Sequence, residues 1–493
     1  MRKLLPALVI VCFALIAALA VKRFAAIHES AGIAPGTAQT TGCEEESFFA
    51  VWRAARGQEI YADTAKLPFA SAYFNWLFYR SYGAAVKPVI ARHGDASLPF
   101  AGRIVTLTGA LVGAGVLAWL FAAIMRGQPL AVRALAVALA LCVYFGTLPG
   151  WWAFTVRPDL WALALEGIAV TVFLTRYRTR PTLATLLATL LCYAAWSFKQ
   201  NFVGALGATL LFLLAQRDWR RAALTSAVSV ALWAATFYLL GPRYLEGIRS
   251  STHADFFLQQ GFDLAKHAAL KLAPLLVAAP LVIAALRARR KETPAPSLAS
   301  DALLLGSIGT VLCLVLAFTS SCKGGAASNY YFAPLLMSSL AVCAALATSR
   351  SLLLPTAIAA VLALTLAAPF TGRFGTLTLR PNALALAERW DVLQKAPEPR
   401  FAYDARLMVP WLAPQSPPIV LAFNYEWDRR HGRAFESGGI GGLLDQGFFA
   451  SALLPAGAER WDGSDLARYA RAQQVGDMVL HRRKDVPPAA APR

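Results

Sequence analysis

The sequence predicts a polytopic α-helical membrane protein with a small α/β domain at its C-terminal end. Three observations lead there. Of 493 residues, 57% are hydrophobic and 15% charged, where soluble domains carry about 25% charged residues. Many apolar runs approach or reach the roughly 17–25 residues that span a bilayer. The basic residues gather in short loops between those runs, the pattern of the positive-inside rule. A net charge of +19 would suggest nucleic acid in a soluble chain, but no basic stripe with a recognisable binding motif accompanies it.

The first run, "LLPALVIVCFALIAALAV" at 4–21, follows Arg2 and Lys3. A signal peptide would suit its charged start, with "ALA" at 18–20 as a cleavage site. Its length, and Lys22–Arg23 directly after it, favour an uncleaved helix. Further runs follow at about 103–125, 131–148, 159–175, 182–198, 201–216, 222–240, 268–286, 302–319, 329–348 and 352–369. With the first, that makes about 11 expected transmembrane helices. A cytoplasmic N-terminus with strict alternation puts Arg126/Arg133, "RYRTR", "QRDWRR", "RARRK" and Arg350 on the cytoplasmic side. The opposite, exported side then collects 22–102, 149–158, 199–200, 241–267, 320–328 and everything after 369.

The expected domains are a transmembrane unit, 1–369, whose first exported loop is 22–102, and an exported α/β domain, 370–493. In the loop, "YFNWLFYRSYG" (73–83) reads as an amphipathic helix with its rings at the headgroup level. In the tail, "PPIVLAF" (417–423) and "GDMVLHR" (476–482) read as strands. "SDLARYARAQQ", from Ser464, reads as a capped helix.

The unusual polar groups are Glu44, Glu45 and Glu46 in "TGCEEESFFAVW", Lys66, Arg157 with Asp159, Lys199 with Gln200 and Asn201, and Lys323 with Asn329. Each has an ordinary explanation. A triple-Glu run can be a solvated loop, and Arg157–Pro158–Asp159 can simply start a helix. "SFKQNF" can be a polar hinge and "KGGAASNYYF" a Gly turn. Yet all fall on the exported side, where basic residues are normally depleted. Charge near membrane depth usually faces a cavity or partner, so convergence suggests a site handling an anion and a proton. Glu166, seven residues after Asp159, shares nearly the same helix face and is left without an assigned role. The six histidines are dispersed with no HExxH, so there is no metal-site signature. There is no P-loop either. Most of the seven cysteines lie in apolar runs as packing residues. Cys43 and Cys322 both fall on the exported, oxidising side, where a disulfide between them is open.

In order, these motifs resemble the GT-C superfamily of integral-membrane glycosyltransferases, particularly the bacterial protein O-mannosyltransferase, aminoarabinose transferase and RgtA/B/C/D-like groups. The acidic loop "EEESFFAVWRAARGQEIYADTAKLPF" matches the family order at Glu45–Glu46, Gly57, Tyr61, Asp63 and Pro68. "RPDLWALAL", "FKQNF" and "KGGAASNYYFAPL" resemble its later elements. The family usually has Asp as the first acidic residue, so which glutamate is the base stays open. The resemblance implies an inverting glycosyltransferase of the bacterial inner membrane. It would move a sugar from a polyprenyl-phosphate donor to a glycan, lipid or protein acceptor at the periplasmic face. Glu45, Glu46, Glu44 or Asp159 would do the acid–base work. Lys66, Arg157, Lys199 and Lys323 would hold the donor phosphate. Gln200, Asn201, Asn329 and Tyr61 would bind sugar or acceptor. No cofactor is certain, and a divalent cation is open. The competing reading is a polytopic transporter or flippase of lipid-linked sugars, against which stand the long first loop, the tail and the absence of an internal repeat.

Overall fold

A computed structural model describes residues 3–33, 40, 44–252, 255–291, 297–349, 351–409 and 423–486. Every apolar run becomes a helix. The elements of the helical unit are α1 (Leu4–Ile33), α2 (Glu44–Ala55), α3 (Trp76–His93), α4 (Leu98–Ile124), α5 (Leu130–Phe145), α6 (Asp159–Arg176) and α7 (Pro181–Phe198). They continue as α8 (Gly204–Ala215), α9 (Trp219–Thr252), α10 (Leu258–Lys271), α11 (Ala273–Lys291), α12 (Leu298–Ser321), α13 (Phe332–Thr348) and α14 (Leu353–Ala367). Among the described residues, seven spans are long and apolar enough to cross a membrane, or eight if the bent pair α10–α11 forms one. The expected count of 11 exceeds this, because α5 and α8 are short and α6 carries Asp159, Glu166 and Arg176.

α13 lies at the centre of the bundle, against α12. Small residues permit the approach: a Cβ on Gly306 would stand 2.7 Å from the Ala341 backbone nitrogen, and one on Gly309 2.7 Å from Met337 Sδ. Such small-residue contacts are how helices pack where lipid removes the hydrophobic drive. α9 is broken at Gly241, whose φ of 73° suits glycine, followed by Pro242. The break turns its last part back over the loop that joins α2 to α3, where Tyr244 is buried.

Polar contacts mark two ends of the bundle. At one, Arg178 pairs with Asp301 at 2.6 Å, Tyr177 donates to Asp218, and Gln128 donates to the Ala347 carbonyl. These contacts join all five of the basic loops or their flanks. At the other end lie α2, α3, the starts of α6, α8 and α13, and the ends of α7 and α12.

The C-terminal part has its own apolar core, including Leu386, Trp390, Phe401, Leu444, Leu453 and Leu480. It comprises α15 (Arg380–Lys395), β1 (Arg400–Ala402), α16 (Phe423–Arg430), α17 (Gly439–Asp445), β2 (Ser451–Pro455), β3 (Tyr469–Val475) and β4 (Met478–Arg483). The sheet order is β1-β2-β4-β3, with β1 parallel to β2 and the other pairs antiparallel. The "GDMVLHR" strand is β4. The helix expected from Ser464 is instead a turn leading into β3. Ala, Arg and Gln favour helix locally, but an antiparallel ladder with β4 overrides propensity here. "PPIVLAF" lies outside the described residues except for Phe423, which begins α16. Phe69 of the first loop sits in this second core, against Tyr425 and Phe435.

The aromatic stretch 73–83 also departs from expectation. α3 forms, but Phe78, Tyr79 and Tyr82 are buried inside the protein rather than presented to headgroups. Gly83 allows this, since a Cβ there would lie 2.7 Å from the Ala54 Cβ of α2.

Candidate active site

The three glutamates open α2, at the positive end of its dipole. Successive residues of a helix point about 100° apart, so the three diverge. Glu44 is 1% exposed. It takes two bonds from Arg103 of α4, Nε at 3.0 Å and a terminal nitrogen at 2.8 Å. The Val156 backbone N–H adds one at 2.8 Å and the Thr40 hydroxyl another at 3.3 Å. Glu46 is buried beside Tyr79, whose hydroxyl accepts from the Phe74 N–H. Glu45 is half-buried, and its Oε2 has no hydrogen-bond partner among the described residues. Burial pushes its carboxyl up to about 7, opposed by a backbone hydrogen bond. Glu44 pushes the same way as burial, Arg406 opposes, and Asp404 adds a smaller upward push.

Asp159, at the first turn of α6, is fully buried. Lys199, in extended backbone where α7 breaks from α8, forms an ion pair with its Oδ1. Asn329, in the turn before α13, donates to the same oxygen at 2.8 Å, and Arg157 lies 3.4 Å from Oδ2. The Arg157 guanidinium stands 4.9 Å over the Phe74 ring and 4.6 Å over that of Trp152, and the Lys199 ammonium 5.6 Å over Phe74. Aromatic faces attract cations, so Phe74 holds both from one side.

The segment 155–159 joins the two groups. The Thr155 hydroxyl bonds that of Thr40, the Val156 N–H reaches Glu44, and Arg157 and Asp159 follow. Tyr82 of α3 bonds the Thr106 hydroxyl and donates to the Arg157 carbonyl. The acidic loop and the Arg-Pro-Asp segment thus form one hydrogen-bonded construction.

The other sequence candidates are placed variously. Gln200 donates to the Tyr73 carbonyl at 2.9 Å, beside the cluster. Tyr61 donates to the Phe74 carbonyl and packs edge-on against Tyr79 and Tyr244. Asn201 is half-buried, its Oδ1 unpartnered among the described residues. Lys323 acts electrostatically on Lys199, while its carbonyl accepts from Gln260. Lys66 is exposed and apart from the cluster. The residues around it meet the C-terminal part, with Ala65 accepting from the Glu436 N–H and Leu67 donating to the Glu436 carboxylate. Glu166 accepts from the Ala205 N–H at 3.0 Å and so caps the start of α8. Among the described residues, no three of His, Cys, Asp and Glu gather as a metal-ligand set. Cys43 lies outside the described residues, and Cys322 is buried as a thiol.

Arg103, Arg406 and Asp404 were not singled out by the sequence, and Phe74 and Tyr82 only as rings of an interfacial helix. Arg103 left a signal, a single base at the start of an apolar run.

No known family profile matches the sequence, and no curated protein matches it. Two crystal structures of ArnT from Cupriavidus metallidurans do match in fold. The apo form superposes with a TM-score of 0.60 and the form bound to undecaprenyl phosphate with 0.61. Each match has 15% identity and covers 98% of this chain and 99% of the other. This chain therefore has an ArnT-like fold over nearly its whole length.

Proposed function

We propose that the chain is an inverting glycosyltransferase that takes a sugar from a polyprenyl-phosphate donor. The observation that carries this reading is a half-buried carboxyl, Glu45, held near neutrality on the same framework as a cationic cluster. The fold it shares with ArnT, one structure of which is bound to undecaprenyl phosphate, supports the donor class.

In this reading the acceptor hydroxyl oxygen attacks the anomeric carbon. The bond from that carbon to the phosphate oxygen breaks, and its electron pair leaves with the lipid phosphate. Glu45 takes the hydroxyl proton, a role suited to a group poised near the working pH. Single displacement inverts the anomeric centre. Glu46, one residue on, orients the sugar or acceptor, and Glu44 fixes the helix through Arg103. Arg157 and Lys199 share Asp159, so two cations and one carboxylate leave one net positive charge for the departing phosphate, with Lys323 adding to the field. Charge aimed where negative charge develops is typically a large catalytic contribution. Asp159 then serves as anchor for the two cations, its acceptor positions being taken up by them and by Asn329. Gln200, Asn201 and Asn329 would bind sugar hydroxyls. Tyr61 supports the backbone at Phe74, while Lys66 stays outside the cation cluster that would meet the phosphate.

The reading also sets the protein in a bacterial inner membrane, N-terminus cytoplasmic and C-terminal domain periplasmic. It is supported by the basic loops meeting at the end of the bundle away from the site, as the positive-inside rule expects. The acceptor is an envelope glycan, lipid or protein. Native mass spectrometry with undecaprenyl phosphate tests the donor site. The purified protein is expected to bind it, and Lys199→Met and Arg157→Met are each expected to bind at least about tenfold more weakly, as for loss of one charge-assisted contact. Equal binding by all three would overturn the assignment of these cations.

A further inference from the structure

As the base, Glu45 must ionise while half-buried, and its backbone hydrogen bond offsets only part of the burial. Burial disfavours the charged form, and the three neighbours in its own part of the chain do not help. Glu44 and Arg103 pair with each other, and Glu46 brings no positive charge. From α3 the nearby titratable group is Tyr79, which faces Glu46. Beyond the backbone hydrogen bond to Glu45, the compensating positive charge comes from the C-terminal domain. Its turn at 405–407 packs against α2, and Arg406 on that turn acts electrostatically on Glu45.

Arg406 is not a loose surface cation. Its Nε meets one oxygen of Asp404 at 2.8 Å and a terminal nitrogen meets the other at 2.7 Å. The Asp404 side chain also accepts the Arg406 backbone N–H at 3.2 Å. From α15, Arg389 clamps Asp404 at 2.7 Å and Asp477 at 2.6 Å. Leu407, next along, is fully buried in the second core. The turn is therefore built to hold a guanidinium in one place.

We propose that the C-terminal domain completes the active site: Arg406, fixed by Asp404, is a positioning residue that keeps the Glu45 carboxylate ionised despite its burial. The inference rests on the assignment of Glu45 as base, but its test does not need the transferred sugar. Dicyclohexylcarbodiimide reacts with protonated, sheltered carboxyls, so the pH dependence of its labelling of Glu45, read by peptide mass spectrometry on the full-length protein in detergent, titrates that group directly. Arg406→Gln removes the favourable charge and is expected to move the labelling midpoint up by about 0.5–1 pH unit, the scale of a nearby but not contacting charge. Asp404→Asn keeps a side-chain oxygen to hold Arg406 but removes an anion that opposes ionisation of Glu45, so its midpoint is expected to move down. Arg406→Lys is expected to restore most of the wild-type midpoint.

A general loosening of the domain would admit water and move both variants the same way. Opposite shifts with rescue by Lys support the proposal. Unchanged midpoints, or shifts in one direction, overturn it. Transfer activity of Glu45→Gln is a separate reading: full activity there would overturn the base assignment, whereas its loss with unmoved midpoints would overturn the role of Arg406 alone.

Discussion

Replacing Arg103 by Met tests whether Glu44 is a structural lock. The carboxylate is 1% exposed and receives four hydrogen bonds, two of them from Arg103 at 2.8 and 3.0 Å. The substitution keeps much of the side-chain volume and removes both charge-assisted bonds. The Val156 N–H and the Thr40 hydroxyl remain. Hydrogen bonds to charged groups contribute about 1.5–3 kcal/mol each, and removing one member of a buried pair costs about 3–5 kcal/mol because the other is left uncompensated. We expect a loss near the lower end of that range, since half the acceptor bonds survive. The second arm is Arg103→Met combined with Glu44→Leu. Removing both charges restores an apolar site, and the double variant should be more stable than the single one, short of wild type by the orphaned Val156 N–H. Thermal unfolding in detergent, followed by tryptophan fluorescence at fixed pH and salt, reads both. An Arg103→Met protein that unfolds at the wild-type temperature would refute the lock, as would a double variant less stable than the single.

Other consequences follow from the same geometry. Gly83→Val should push α2 from α3, because the Cβ alone would stand 2.7 Å from Ala54 Cβ; overpacking costs about 1–3 kcal/mol, and a stable, fully active variant would contradict the close contact. Burial raises Glu45 from 4.5 to about 7, so the folded protein holds a proton that the unfolded chain has lost between those values. Its contribution therefore makes stability fall as pH rises through that window, and Glu45→Gln should gain stability over wild type at pH 8 but not at pH 4.5, by about 3 kcal/mol. A gain independent of pH would contradict this. Wild-type transfer should fall as pH drops below about 7, where Glu45 takes up its proton; a rate flat from pH 8 to pH 5 would place the base elsewhere. Phe74→Ala should weaken donor phosphate binding without unfolding the bundle, because the ring stands under both Arg157 and Lys199; unchanged binding would remove Phe74 from the site.

Much of the helical unit was legible because apolar length and basic loops are one-dimensional signals. Each expected run from 4–21 to 352–369 became a helix, though the crossing number did not follow. A run of apolar residues does not reveal that α8 is 12 residues long or that α10 and α11 meet at 80°. The motifs at 157–159, 199–201 and 329 were readable as polar interruptions of apolar sequence. What they do to one another was not. Asp159 and Asn329 are 170 residues apart, and the sequence could not say that three side chains would surround one carboxylate. The division of labour among three adjacent glutamates was equally hidden. It follows from helix geometry together with Arg103 and Arg406, which come from elements 59 residues downstream of Glu44 and from the far end of the chain. β3 was misread because its residues prefer helix locally, and pairing with β4 is a non-local gain. Lys66 was attractive as a cation in the acidic loop, but the loop turns that residue outward while Phe69 anchors in the C-terminal core.

The central claim is that Glu45 accepts the acceptor proton in transfer from a lipid-linked sugar. The direct measurement is transfer from radiolabelled undecaprenyl-phosphate sugars in membrane vesicles, comparing wild type with Glu45→Gln, Glu46→Gln and Glu44→Gln at matched expression. The account predicts transfer by wild type, loss of at least about 100-fold in Glu45→Gln, as for removal of a general base, and a smaller loss in Glu46→Gln. Glu44→Gln should lose activity in step with folded protein. Wild-type rates in Glu45→Gln, or no transfer by any of the proteins, would contradict it.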